Sequence, residues 1–189
     1  MSFNFKKMDI DGAYLIKPHI FIDERGTYKK TFLKEEFLIH NLPIAYNETS
    51  DIISKKGSIR GLHYQEVDSQ AKLLRVIKGS IYDVFVDLRP NSKTFLSVVQ
   101  IRLSAEDNNV LFVPSGCAHG FMALEDDTIF SYQSNNSYNP ESSGGILWND
   151  PELKINWPLN KSLIITDKDK NWPTLKEYLK KKGIEWKKF

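Results

Sequence analysis

The sequence predicts a mostly β protein, a small antiparallel sandwich or jelly-roll barrel. Three observations carry that expectation. Between about residues 58 and 150, apolar runs of strand length recur at short intervals, each is closed by turn-forming residues, and little room remains for a long helix. A chain of 189 residues with 41% hydrophobic and 26% charged side chains is long enough to bury a core and ordinary in composition.

In order, KLLRVIKG stops at Gly79, SIYDVFVDLR at Pro90-Asn91-Ser92, FLSVVQIRL at Glu106 to Asn109, VLFV at Pro114-Ser115-Gly116, and HGFMALE at Asp126-Asp127. Within SIYDVFVDLR the alternation is explicit. Tyr82, Val84, Val86 and Leu88 share one face, wholly apolar; Ile81, Asp83, Phe85 and Asp87 share the other, which mixes aromatic with acid. Upstream, KEEFLIHN before Leu42-Pro43 reads as a short helix. Downstream, LKEYLKKKGIEW reads as an amphipathic terminal helix, with Thr174 as cap, Glu177 closing a capping box and Gly183 at its end. No repeat, low-complexity tract or linker interrupts the chain. One domain over 1–189 is expected, with a barrel core at about 45–150 and a helical appendage at about 171–189.

Composition also excludes classes of function. From Lys168 onward eight lysines face Asp169, Glu177 and Glu185, but aromatic and basic residues do not interleave along a groove, so a solvated helix face is expected and not nucleic-acid binding. The opening MSFNFKKMDIDGAYLI holds no uninterrupted apolar core, and no segment approaches the length that spans a bilayer; no membrane association and a cytoplasmic location are expected. Cys117, the single cysteine, can form no intrachain disulfide.

Polar residues interrupt the strands. A barrel interior filled only for stability uses Val, Ile, Leu and Phe, yet here His63, His119, Tyr132 and Lys72 intervene. Paired histidines suggest a metal, but His63 and His119 stand 56 residues apart and neither has a second histidine two positions away, so no metal is expected. Proton transfer is the other reading: a histidine can remove a proton at neutral pH, a phenol can return one, an ammonium can stabilise an enolate oxygen, and a forked guanidinium suits phosphate. His63, Tyr132, Lys72 and Arg60 supply those four groups. Each taken singly also fits a satisfied polar residue at a strand end. Arg60 and His63 are an odd number apart, so a regular strand points them to opposite faces; a bulge at Gly61 is expected to bring both inward.

RGLHYQ, QAKLLRVIKGSIYDVFVDLR, FVPSGCAHGFMALE, YQSNNSYNP, WNDPELKINWP and ITDKDKNW, in that order and over nearly the full chain, resemble the dTDP-4-dehydrorhamnose 3,5-epimerase family. The resemblance implies a cupin-type double-stranded jelly-roll barrel, a homodimer, and no metal or other cofactor. It implies a nucleotide diphosphate-linked 4-keto-6-deoxyhexose as substrate, inverted next to the ketone through an enolate. By the same resemblance His63 is the base, Asp169 orients it, Tyr132 is the acid, and Lys72 and His119 meet the enolate oxygen or neighbouring hydroxyls. Arg60 binds diphosphate, Gln65 contacts substrate, Tyr138 stacks near the nucleotide base, and Arg25 and Phe21 reach the site from the partner subunit.

Some positions depart from the family pattern. Glu48, Ser50 and Ile52 stand where it has Gln, Asn and Ser; Lys30 replaces a glutamate, Ser143 an acidic residue and Cys117 a phenylalanine. A carboxylate at Glu48 near a diphosphate calls for a compensating cation, for which Lys30 is the expected partner. Competing readings are a 3,4-ketoisomerase of a sugar nucleotide, a catalytically silent sugar-nucleotide-binding protein and a metal-dependent oxygenase of the same fold.

Overall fold

A computed structural model describes residues 3–158 and 161–185. Thirteen strands and three short helices follow one another within them: β1 (Asn4–Lys7), β2 (Tyr14–Lys17), β3 (His19–Asp23), β4 (Gly26–Lys30), α1 (Lys34–Ile39), β5 (Glu48–Ser54), β6 (Ile59–Gln65), β7 (Lys72–Lys78), β8 (Ser80–Asp87), β9 (Val98–Ser104), β10 (Val110–Val113), β11 (Cys117–Ala123), β12 (Thr128–Ser134), β13 (Ser143–Gly145), α2 (Asp167–Lys170) and α3 (Leu175–Lys181). A six-stranded sheet has the order β1-β2-β10-β7-β12-β5, and a five-stranded sheet the order β13-β6-β11-β8-β9; β3 and β4 form a separate hairpin. All pairings within the sheets are antiparallel. The first sheet reaches beyond the 45–150 block, because the short strands β1 and β2 pair with each other and with β10.

Between the sheets lies a core built from Leu74, Val76, Ile81, Phe85, Leu111, Phe121 and Phe130. The two faces of β8 go to different places. Val84, Val86 and Leu88, on the wholly apolar face, pack under Leu153, Leu175, Tyr178 and Leu179, so the C-terminal helix covers the outside of the five-stranded sheet. The mixed face, carrying Ile81, Asp83 and Phe85, is the one turned into the barrel. Helix α1 buries Phe37 against Phe3, Ile16, Leu73 and Phe112, closing the outside of the other sheet.

Helix α3 starts as the sequence indicates. Thr174 accepts from the Glu177 amide and Glu177 reaches back to the Thr174 amide, a reciprocal capping box, while Gly183 takes a φ of +69° just past the end. The last residues of the expected appendage, 186–189, lie outside the described residues. Among those described, no helix is long and apolar enough to cross a membrane.

The turn after β8 is organised by Asp87, which is fully buried. Its carboxylate accepts from the Arg89 amide at 3.0 Å, from Arg89 Nε and Nη2 at 2.8 Å each, from Ser92 Oγ at 2.6 Å and from Thr94 Oγ1 at 2.7 Å. Burial pushes this carboxyl up, but the Arg89, Ser92 and Thr94 bonds outweigh it and leave the group below the usual carboxylate range. A group with a lowered folded pKa stabilises above its unfolded value, about 3.9, and loses that contribution as pH falls through the folded value. Asp87→Asn is therefore expected to cost about 2 kcal/mol at pH 7 in urea unfolding, with the gap to the parent protein shrinking below about pH 4.

Candidate active site

The site is built around β6. Across the β6–β11 pair His119 faces His63 and Phe121 faces Arg60, so three steps on β6 oppose two on β11: a bulge, centred on Gly61. Gly61 has a φ of +136°, and the peptide from Gly61 to Leu62 is cis. A Cβ on Gly61 would stand 2.5 Å from the Gly120 Cα and 3.1 Å from the His119 carbonyl oxygen, while one on Gly120 would stand 2.7 Å from the Arg60 carbonyl oxygen. The extra residue cancels the odd spacing, and Arg60 and His63 line the same cavity. Gly61→Ala combines a left-handed backbone with a steric clash. Its expected effect is a stability loss of more than about 2 kcal/mol in urea unfolding, with loss of turnover in whatever folded protein remains.

The neighbouring segment delivers Asp169. Ser58 forms a parallel bridge to Ile164, and the Ile59 amide donates to the Ile164 carbonyl, laying the C-terminal segment along β6. Thr166 caps α2 by accepting from the Asp169 amide, which turns Asp169 inward to near-complete burial. Asp169 Oδ1 lies 2.6 Å from His63 Nε2 and also accepts from Trp172 Nε1 at 3.1 Å. Burial pushes the Asp169 carboxyl up, but the bonds to His63, Trp172 and the Gly61 amide leave it below its ordinary value. An ionised carboxylate only accepts, so His63 Nε2 carries the proton and Nδ1 is left as the basic atom.

A cavity of about 320 Å³ is lined by Arg60, His63, Lys72, His119, Tyr132 and Asp169, with Ile52, Phe121, Phe130 and Lys168. An adjoining cavity of about 170 Å³ shares His63, Lys72, Tyr132 and Lys168 and adds Gln65, Cys117, Tyr138 and Ser143. The Lys72 ammonium sits 5.5 Å from the centre of the Tyr132 ring. Burial lowers Lys72 to about 8, against the raising effect of Asp83 and Glu48. Tyr132 is raised, first by burial and further by Glu48, while Ser50 and Arg60 pull it down.

Sequence distance does not keep the histidines apart, since His63 and His119 are direct cross-strand partners. Each Nε2 meets its own carboxylate, His119 with Asp83 Oδ2 at 2.9 Å and His63 with Asp169. Among the described residues, no three His, Cys, Asp or Glu side chains gather so as to hold a metal ion.

Eight of the residues singled out from the sequence thus converge: His63, Tyr132, Asp169, Lys72, Arg60, His119, Gln65 and Tyr138. Gln65 has a scaffolding use as well, because its amide donates to the Asp68 and Ser137 carbonyls and accepts from the Asn139 amide, fastening the segment that carries Tyr138. Arg25 and Phe21 do not join the others within one protomer; they stand on the exposed β3–β4 hairpin, Arg25 paired with Asp23 and Phe21 stacked on His19. The expected Lys30–Glu48 pairing is absent from the described residues. Strand alternation turns Glu48 and Ser50 inward beside Tyr132, where Glu48 accepts from the Tyr138 amide, whereas Lys30 lies on the exposed hairpin. Sequence reading missed Lys168 and Trp172: both lie in ITDKDKNW, but only the structure shows Lys168 on the cavity and Trp172 bonded to Asp169.

Fold and cavity define the class, a jelly-roll barrel whose interior carries acid and base side chains. The profile of dTDP-4-dehydrorhamnose 3,5-epimerase matches residues 7–177. A dTDP-4-dehydrorhamnose 3,5-epimerase from Methanothermobacter thermautotrophicus is 44% identical over 178 residues, which is 93% of this chain and 96% of that protein. The crystal structure of the corresponding epimerase from Elizabethkingia anophelis superposes with a TM-score of 0.90 at 36% identity, covering 94% of this chain and 98% of that one. A dTDP-6-deoxy-D-glucose-3,5-epimerase from Legionella pneumophila, solved in complex with dTDP-4-keto-L-rhamnose, gives 0.90 at 33% identity, with 98% and 100% covered. The chain belongs to the dTDP-4-dehydrorhamnose 3,5-epimerase family.

Proposed function

We propose that this protein epimerises a dTDP-linked 4-keto-6-deoxyhexose at C3 and C5 in deoxysugar biosynthesis. One observation carries the reading: a carboxylate-anchored imidazole, a phenol and a buried ammonium, His63, Tyr132 and Lys72, open onto one cavity in a member of this family. The ligand in the Legionella complex supports the substrate class.

The C4 carbonyl acidifies the hydrogens on C3 and C5. His63 Nδ1 takes one, the C–H electron pair moves into the carbonyl as an enolate, and Asp169 stabilises the imidazolium. Lys72 and His119 hold the enolate oxygen. Tyr132 then returns a proton to the opposite face and the carbonyl reforms; the imidazolium gives its proton to water and the phenolate takes one back, which resets both groups before the second carbon, and the product is an isomer with no net change in atoms. Arg60 takes the diphosphate and Tyr138, which is half exposed, stacks on the base.

The working unit in this reading is a cytoplasmic homodimer of single-domain subunits, with Arg25 and Phe21 completing the partner's site. Every residue of β4 is exposed, and the hairpin carries Phe21, Ile22 and Tyr28 uncovered, an apolar surface suited to burial against a second copy.

Turnover in deuterated water tests the reaction. Parent protein is expected to place deuterium at C3 and C5 with inversion, His63→Ala to lose at least about 100-fold in rate at both carbons, and Tyr132→Phe to lose inversion more than exchange. Mass spectrometry with NMR of the product reads both, and a parent protein that binds substrate without exchange would rule the reaction out. The rate is also expected to decline as pH rises through about 8, where Lys72 loses its charge, a limb that a kcat profile measures directly.

A further inference from the structure

Glu48 has no role in the reaction as described, yet both of its carboxylate oxygens are engaged beside residues that line the cavity. Its Oε2 accepts from the Tyr138 amide at 2.8 Å, and its Oε1 accepts from Ser50 Oγ at 3.3 Å. Ser50 lies directly across the β5–β12 pair from Tyr132, on the strand face that carries the phenol. A carboxylate and a hydroxyl therefore link the segment that holds Tyr138 to the strand position directly across from Tyr132.

We propose that Glu48 is a positioning residue for the reaction: bonded to the Tyr138 amide and to Ser50, it fastens the Tyr138 segment to the strand position across from Tyr132 and sets a carboxylate beside the phenol and the Lys72 ammonium. This rests on the assignment of Tyr132 as proton donor and Lys72 as enolate stabiliser.

The electrostatics fit the geometry. Glu48 raises both Lys72 and Tyr132, and both are needed with their protons on: the lysine as a cation, the phenol as a donor. The other charged or titratable groups facing these two are Arg60 and His63 on β6, His119 on β11, Asp83 on β8, and Lys168 and Asp169 on α2. Of the carboxylates in that set, Asp83 is bonded to His119 and Asp169 to His63, whereas Glu48 is bonded only to neutral groups. Its charge is free to act on the lysine and the phenol. A neutral amide at this position can still accept a hydrogen bond but supplies no charge.

Two substitutions separate charge from orientation. Glu48→Gln is expected to move the alkaline limb of kcat to lower pH with little change in KM, because the lysine and the phenol each lose a group that raises them. Ser50→Ala keeps the carboxylate but removes its bond to the strand position across from the phenol; it is expected to leave the limb in place and to raise solvent deuterium exchange relative to inversion by about tenfold, as His63 returns the proton to the face it came from. An unmoved limb in Glu48→Gln together with an unchanged exchange-to-inversion ratio in Ser50→Ala would overturn the proposal, even if both variants were slower. Tyr132→Phe serves as the control: if it inverts as well as parent protein, the donor assignment itself is wrong, whereas loss of inversion there with silent Glu48 and Ser50 variants condemns the positioning role alone.

Discussion

The close approach of two glycines, Gly61 on β6 and Gly120 on β11, is the constraint on which the site depends. Backbone meets backbone there at a distance that excludes any side chain, and the bulge that results lets β6 place Arg60 and His63 on one side of the sheet. A regular β6 would leave one of them outside the barrel. The C-terminal segment then bridges to Ser58 and Ile59, just ahead of the bulge, so the same stretch that aims His63 also receives the strand-like run leading to Asp169. His63 and the carboxylate it meets, 106 residues apart in sequence, are set by one short piece of β6.

A second consequence concerns how a barrel affords a polar interior. The outside of the five-stranded sheet is sealed by α3 and the segment before it, so β8 is buried on both faces. The purely apolar face supplies stability against that cover. Its opposite face is thereby freed to carry Asp83 among aromatic neighbours, next to His119 and within electrostatic reach of Lys72. Stability and chemistry are segregated by strand alternation, two residues at a time.

Much of this was legible in the sequence, for identifiable reasons. Strand periodicity and turn residues mark β7 to β11, the capping box marks α3, and the odd spacing of Arg60 and His63 around a glycine points to the bulge. The resemblance to a known family named the residues that converge. Other features were not legible because they depend on which strands become neighbours. The cross-strand meeting of His63 with His119 undoes an argument from their separation, and the inward turn of Glu48 undoes its expected pairing with Lys30. The strands β1 and β2 escaped notice since runs of four residues carry too little periodicity to stand out. Trp172 illustrates a further limit, because an indole that donates to a buried carboxylate looks in sequence like any aromatic before a helix.

Charge balance explains why so many ionisable groups can share one small interior. Three cations, Arg60, Lys72 and Lys168, line the larger cavity, and three carboxylates, Asp83, Asp169 and Glu48, stand in or beside it. Isolated burial of any one would be costly, several kcal/mol for an unpaired ion. Each carboxylate is held by hydrogen bonds and faces a cation or a histidine. Asp83 shows the margin most clearly: fully buried, with Oδ2 on His119 and Oδ1 without a hydrogen-bond partner among the described residues, it is tolerated because the Lys72 ammonium answers its charge. Burial lowers the same lysine to about 8, and Asp83 and Glu48 pull it back toward its charged form.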